Sequence, residues 1–198
     1  ESMLTALSVA KAQSGAVPIV VSLTPGGPNV ARLLDDGVPV HQLGMRGAFS
    51  GGQGVFTLAG LIRRLAPDVV QGWMYHANLA ASAAVALSGR RRQTKVYWGI
   101  RCSDMNLSDY GLALRLVVRM GGWSSRRPDA IIANSAAGVV VHRALGYTPR
   151  HFLLIDNGVD TDRFKSSSAD RTAVRAELGL GQDDFVVAVA ARYDPMKD

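Results

Sequence analysis

The 198-residue chain is short of cysteine, acid and long apolar runs. Its one cysteine, Cys102, excludes an internal disulfide and any zinc site built on paired thiolates, and it suits a reducing compartment. No apolar run approaches the roughly 18 residues needed to cross a bilayer, and no leader pattern is visible. No aromatic-plus-basic ribonucleoprotein string, helix-turn-helix spacing or finger-type cysteine pattern occurs, so nucleic acid is not an expected partner. There are no repeats at solenoid spacing.

Acid is scarce relative to base. Sixteen Asp and Glu face 22 Lys and Arg, giving a net charge of +6. The arginines cluster at Arg90-Arg91-Arg92, at Arg115 and Arg119, and at Arg126-Arg127. Such a surplus suits phosphates or an anionic membrane face.

What is present is a repeating strand-then-helix pattern. Residues 18–23, 38–43, 67–73, 94–99, 128–133 and 152–155 are short apolar runs bounded by turn residues, as buried parallel strands are. Between them lie helical patterns, with Gly37 and Gly146 placed as closing caps and Asn134-Ser135 as an opening one. An amphipathic helix spans Ser2 to Gln13. The fold class expected is α/β: a Rossmann-like parallel sheet with helices on both faces.

Two stretches need separate reading. Gly52-Gln53-Gly54 invites a dinucleotide-loop assignment, but the third glycine of that fingerprint falls on Thr57. A flexible loop from Gly44 to Gly54 is expected instead. The helix from Gly111 to Ser125 carries the densest apolar run, with Arg115 and Arg119 four apart. Most of it is expected in the core, with a basic amphipathic helix lying on anionic lipid as the functional alternative.

The chain is organised around Ile155-Asp156-Asn157-Gly158-Val159-Asp160, with Phe164 as an apolar anchor, and around the tail from Arg192 to Lys197. Asn157-Gly158 forces the preceding strand to stop at Asp156. Past a serine-rich linker and a helix over Arg171–Leu178, Phe185–Ala191 reads as another buried strand. Arg192 and Lys197 follow it, with Asp194-Pro195 setting Lys197 at a helix head, where phosphate is favoured.

Asn-Gly-Val-Asp, the following Phe164, and the apolar strand running into Arg192 and Lys197 resemble the domain junction of glycosyltransferase family 4. Those are retaining sugar transferases of two Rossmann-like domains, the GT-B fold. The resemblance implies three parts: an acceptor-side domain over 1–156 whose first strand is missing, a hinge, linker and helix over 157–182, and the start of a donor-binding domain over 183–198. Both chain ends look cut. The resemblance places the family's donor-side glutamate pair past Asp198, so the chain alone is expected to be inactive.

Candidate site residues stand at strand exits, where open α/β sheets bind ligands. His76 follows the third strand, and a neutral imidazole there can orient a reacting hydroxyl; the resemblance implies a catalytic contact, and a purely structural histidine is the rival. Arg101 follows the fourth strand, where many relatives carry a histidine. Its fork suits an anionic acceptor group, with an ion pair to Asp104 as the alternative. Arg101 and Asn157 are assigned to the acceptor. Arg192 and Lys197 are implied to hold the donor diphosphate, where they would neutralise charge on the leaving nucleotide.

The expected function is a retaining glycosyltransferase taking sugar from a nucleotide-sugar donor to a carbohydrate or lipid-linked acceptor. No metal or other cofactor is expected. The expected location is cytoplasmic, including the inner membrane face through a peripheral contact. A dinucleotide-dependent oxidoreductase or epimerase, and a non-enzymatic domain docking on anionic membranes, are the alternatives.

Overall fold

A computed structural model of the chain describes residues 2–45, 48–103, 105–162 and 164–190. Six strands appear in chain order: β1 (Val20–Ser22), β2 (Val40–Gln42), β3 (Val69–Trp73), β4 (Lys95–Ile100), β5 (Ala130–Ala133) and β6 (Phe152–Leu154). Seven α-helices accompany them among the described residues: α1 (Ser2–Gln13), α2 (Pro28–Asp35), α3 (Ala48–Leu65), α4 (Tyr75–Leu87), α5 (Leu112–Ser124), α6 (Ala136–Ala144) and α7 (Ser168–Glu177).

Every strand pair is parallel, in two ladders: β1-β2, and a four-stranded sheet in the order β3-β4-β5-β6. Val21 in β1, Leu23 just after it and Leu43 after β2 pack against the same apolar cluster that lies on the larger sheet. At the centre of that cluster Trp98, Ile100, Ile131, Ala133 and Val118 are fully buried. β4 and β5 are near-continuous apolar runs because helices cover them, as parallel sheets require. α3 packs on α4, and α4 on both α5 and the sheet. The alanines of α4 allow that approach, with Ala80, Ala81, Ala84 and Val85 all inward.

Helix limits follow their caps. Pro28 opens α2, and Gly37 closes it at a φ of 76°. The Ser135 hydroxyl accepts from the Gly138 N–H at 3.0 Å to open α6.

Two expectations about the helices change. The loop read over Gly44 to Gly54 is helical from Ala48 onward, so Gly52-Gln53-Gly54 lies inside α3 and forms no phosphate-binding turn. A Cβ at Gly54 would sit 2.6 Å from Met45 Cγ, so this glycine is there for close packing of the preceding loop. The dense apolar stripe of α5, expected inward, faces out: Leu112 is 68% and Trp123 80% exposed. What α5 buries is Val118, Gly121, Gly122 and Ser124. A Cβ on Gly122 would lie 2.9 Å from the Leu145 carbonyl, so the small face fixes which way the helix turns.

The chain divides into two compact units, Glu1–Asn157 and Gly158–Asp198. In the second, the Ser167 hydroxyl caps α7 through the Asp170 N–H at 3.1 Å, and buried Arg175 donates from Nε to the Gly181 carbonyl at 2.8 Å. The strand expected over Phe185–Ala191 joins no ladder among the described residues, and Phe185 is exposed. A parallel strand is held by its neighbours. Phe164, expected as an anchor, is likewise exposed.

Candidate functional site

The carboxyl ends of β3, β4 and β6 build the site. The β3 exit is formed by close contact. Gly72 lies so near the start of α4 that a Cβ there would come within 2.6 Å of Asn78 Cα. Buried Asn78 then clamps β4, its amide donating to the Gly99 carbonyl at 3.1 Å and its oxygen accepting from the Gly99 N–H at 3.2 Å. The same carbonyl accepts from the Met74 N–H at 2.9 Å.

These bonds hold Met74 at φ 71°, ψ 173°. That region is sparsely populated for any residue with a Cβ, and such backbone strain gathers at functional sites. Tyr75 and His76 follow immediately, as the first turn of α4.

Tyr75 turns inward. Its hydroxyl lies 2.9 Å from His142 Nε2, and His142 Nδ1 lies 2.7 Å from the Gly138 carbonyl. A carbonyl only accepts, so Nδ1 carries the proton and Nε2 accepts from Tyr75. Burial lowers the His142 pKa, against the Gly138 bond that raises it, so the ring stays neutral. Burial also pushes the Tyr75 hydroxyl well above its ordinary value, and the group remains a donor. With Tyr75 pinned, His76 is left exposed at the mouth of the edge.

Arg101, two residues past the level of Gly99, spans this edge. Its Cζ lies 4.8 Å over the Trp73 ring at the end of β3, and Nη2 donates to Asn157 Oδ1 beyond β6. The side chain thus reaches across the end of β5. Partial burial lowers its pKa from the usual guanidinium value, and an arginine in a protein keeps its charge. Among the described residues no carboxylate pairs with it, and both of its partners are neutral. An oriented, uncompensated guanidinium of this kind can take an oxyanion through its remaining N–H groups.

Of the residues expected from sequence, Arg101 and Asn157 are therefore brought together, and His76 stands on the adjoining strand exit without a hydrogen bond to either. Arg192 and Lys197, and Asp104, lie outside the described residues. Sequence reasoning passed over Trp73 as a platform, Met74 as a strained joint and His142 as the partner of Tyr75. Only the succession Gly72-Trp73-Met74 at a strand end hinted at the first two. Nothing local marked His142, whose partner is 67 residues away.

The model of one family, Glycosyltransferase Family 4, matches residues 1–163. The chain belongs to Glycosyltransferase Family 4. Among curated relatives, the D-inositol 3-phosphate glycosyltransferase of Geodermatophilus obscurus is 39% identical over 72 residues, which are 35% of this chain and 15% of that protein. The protein of the same name from Streptomyces scabiei is 39% identical over 74 residues, 36% of this chain and 16% of its own length.

Among solved structures, Anabaena HepE in complex with UDP and glucose superposes with a TM-score of 0.68 at 18% identity, over 89% of this chain and 46% of HepE. A glycosyltransferase from Rickettsia africae gives 0.62 at 16% identity, over 91% of this chain and 46% of that one. The family 4 chain described here thus spans under half of each of these structures, and at such identities the likeness is one of fold.

Proposed function

We propose that this chain supplies the acceptor-side wall of a retaining glycosyltransferase that takes its sugar from a nucleotide-sugar donor. The observation that carries the reading is the carboxyl-edge arrangement, in which exposed His76 adjoins Arg101, held between Trp73 and Asn157 with no carboxylate partner among the described residues. Family membership and the UDP-bound state of HepE support a nucleotide sugar as donor.

Arg101 points to an acceptor carrying an anionic group, and phosphate fits its fork. The curated relatives, named for a phosphorylated inositol, agree with that chemistry. In this reading His76 orients a reacting hydroxyl. Asn157 sets the guanidinium plane, and Arg192 and Lys197 bind the donor diphosphate. Those two charges stabilise the leaving group, so no metal is required.

The test is transfer by the intact protein with UDP-sugars as donors and sugar phosphates as acceptors. Product with the donor's anomeric configuration is expected, and chelator leaves the rate unchanged. His76→Ala should lower kcat by about a hundredfold, the scale of one positioned proton-transfer group. An inverted product, or full activity after Arg192→Ala and Lys197→Ala together, would remove the reading.

A further inference from the structure

α5 offers a surface that the transfer reading does not use. Leu112, Leu116, Met120 and Trp123 succeed one another at helical spacing and are 68%, 50%, 56% and 80% exposed. The opposite face is committed. Gly121 and Gly122 are buried against Tyr147 and the Leu145–Gly146 backbone, which leaves no room for the helix to roll and hide its leucines.

The charge carried by the helix itself and by the turn that follows it is of one sign. From Tyr110 to Pro128 the sequence holds four arginines and neither aspartate nor glutamate. Arg119, Arg126 and Arg127 are exposed. The Arg127 guanidinium lies 5.2 Å over the Trp123 ring, joining the charged rim to the apolar stripe. Two shallow depressions flank the helix end. One, of about 310 Å³, has Arg126 and Arg143 on its wall; the other, of about 270 Å³, has Arg91 and Arg127. In the second, Arg91 is paired with Asp129 at 3.2 Å, so the charge on its wall falls to Arg127.

We infer that α5 docks the protein on an anionic phospholipid bilayer. The stripe enters the boundary between headgroups and acyl chains, and Arg119, Arg126, Arg127 and Arg143 meet lipid phosphates. At 13 residues α5 is too short to span a bilayer, and no helix among the described residues is long and apolar enough to do so. A leucine and tryptophan face edged by arginine is the composition of helices that lie in the interface. A second copy of the chain fits poorly as occupant, because a two-fold contact would set the same arginines against each other. The inference does not depend on which sugar, if any, the protein transfers.

The experiment is co-flotation of the whole chain with phosphatidylglycerol-rich vesicles and with pure phosphatidylcholine vesicles, at low and high salt. Binding to the anionic vesicles alone is expected, weakening as salt rises. The pair Leu116→Ser and Trp123→Ser, both exposed, should reduce binding at least tenfold while the circular dichroism spectrum stays that of the parent. Arg119→Gln, Arg126→Gln and Arg127→Gln together should reduce it by roughly a hundredfold at low salt, each arginine near an anionic surface counting about fivefold.

A control with Arg32→Gln, Arg64→Gln and Arg171→Gln removes the same charge elsewhere and should bind as the parent. The inference is overturned if neither vesicle binds, if the control loses as much as the α5 variant, or if sedimentation shows a lipid-free dimer that Leu116→Ser dissociates.

Discussion

The two edges of the four-stranded sheet are made from the same strands and finished in opposite ways. At the amino edge polar groups satisfy one another. Asp129, entering β5, accepts from the Val96 N–H at 2.9 Å and pairs with Arg91 and Lys95 at 3.2 Å each. Thr94 donates to the Pro67 carbonyl at 2.8 Å. At the carboxyl edge a guanidinium has only neutral partners among the described residues, an imidazole is exposed and one backbone joint is strained. Stability is concentrated where charges are matched, and recognition is available where they are not.

The contrast can be tested by substitution, and the largest effect is expected at Gly72. Gly72→Ala drives a methyl group into the backbone of Asn78, which cannot give way without moving α4. A loss of about 3 kcal/mol is expected in urea unfolding, the upper end of overpacking costs. A loss under 1 kcal/mol would show that the β3 exit is looser than its geometry.

Asp129→Ala comes next, at about 2 kcal/mol, because the partly buried Val96 N–H loses its acceptor while two cations lose their partner. The pH signature has a definite sign. Burial pushes the Asp129 carboxyl upward, but the Val96 N–H, Lys95 and Arg91 outweigh it and hold the group below its ordinary value. A depressed carboxyl contributes stability above its unfolded pKa of about 4, and that contribution disappears as pH falls through the lower folded value. Unfolding measured from neutral to acid pH should therefore show the parent losing its advantage over the variant below about pH 4.

Arg101→Ala should cost under about 0.5 kcal/mol in the same assay, since the group is half-exposed and has no ionic partner among the described residues. Its effect belongs to binding: in the intact enzyme KM for a phosphorylated acceptor should rise and that for the unphosphorylated analogue should not. Equal rises for both would place Arg101 on the structural side of the contrast.

Sequence disclosed the strands well, because each is an apolar run closed by turn residues, and parallel pairing followed from their alternation with helices. It disclosed the stripe on α5 but not its direction. Periodicity shows that Leu112, Leu116 and Met120 share a side; it is the Gly121-Gly122 pair, packed on the Leu145–Gly146 backbone, that decides which side is buried. At the site, His76, Arg101 and Asn157 were readable as strand exits. Their company was not, since Arg101 meets Trp73 and Asn157 through contacts 28 and 56 residues apart in the chain. Nor was the Tyr75–His142 bond, which two separate helices create.

The bend at Met74 also bears on timing. A backbone held in so sparsely populated a state stores on the order of 1–3 kcal/mol, and here it is locked by the same Gly99 carbonyl that Asn78 grips. The opening turn of α4 is consequently set before any ligand arrives. A molecule meeting the imidazole of His76 finds its backbone mount already rigid, and little ordering cost is left to be met during the encounter itself.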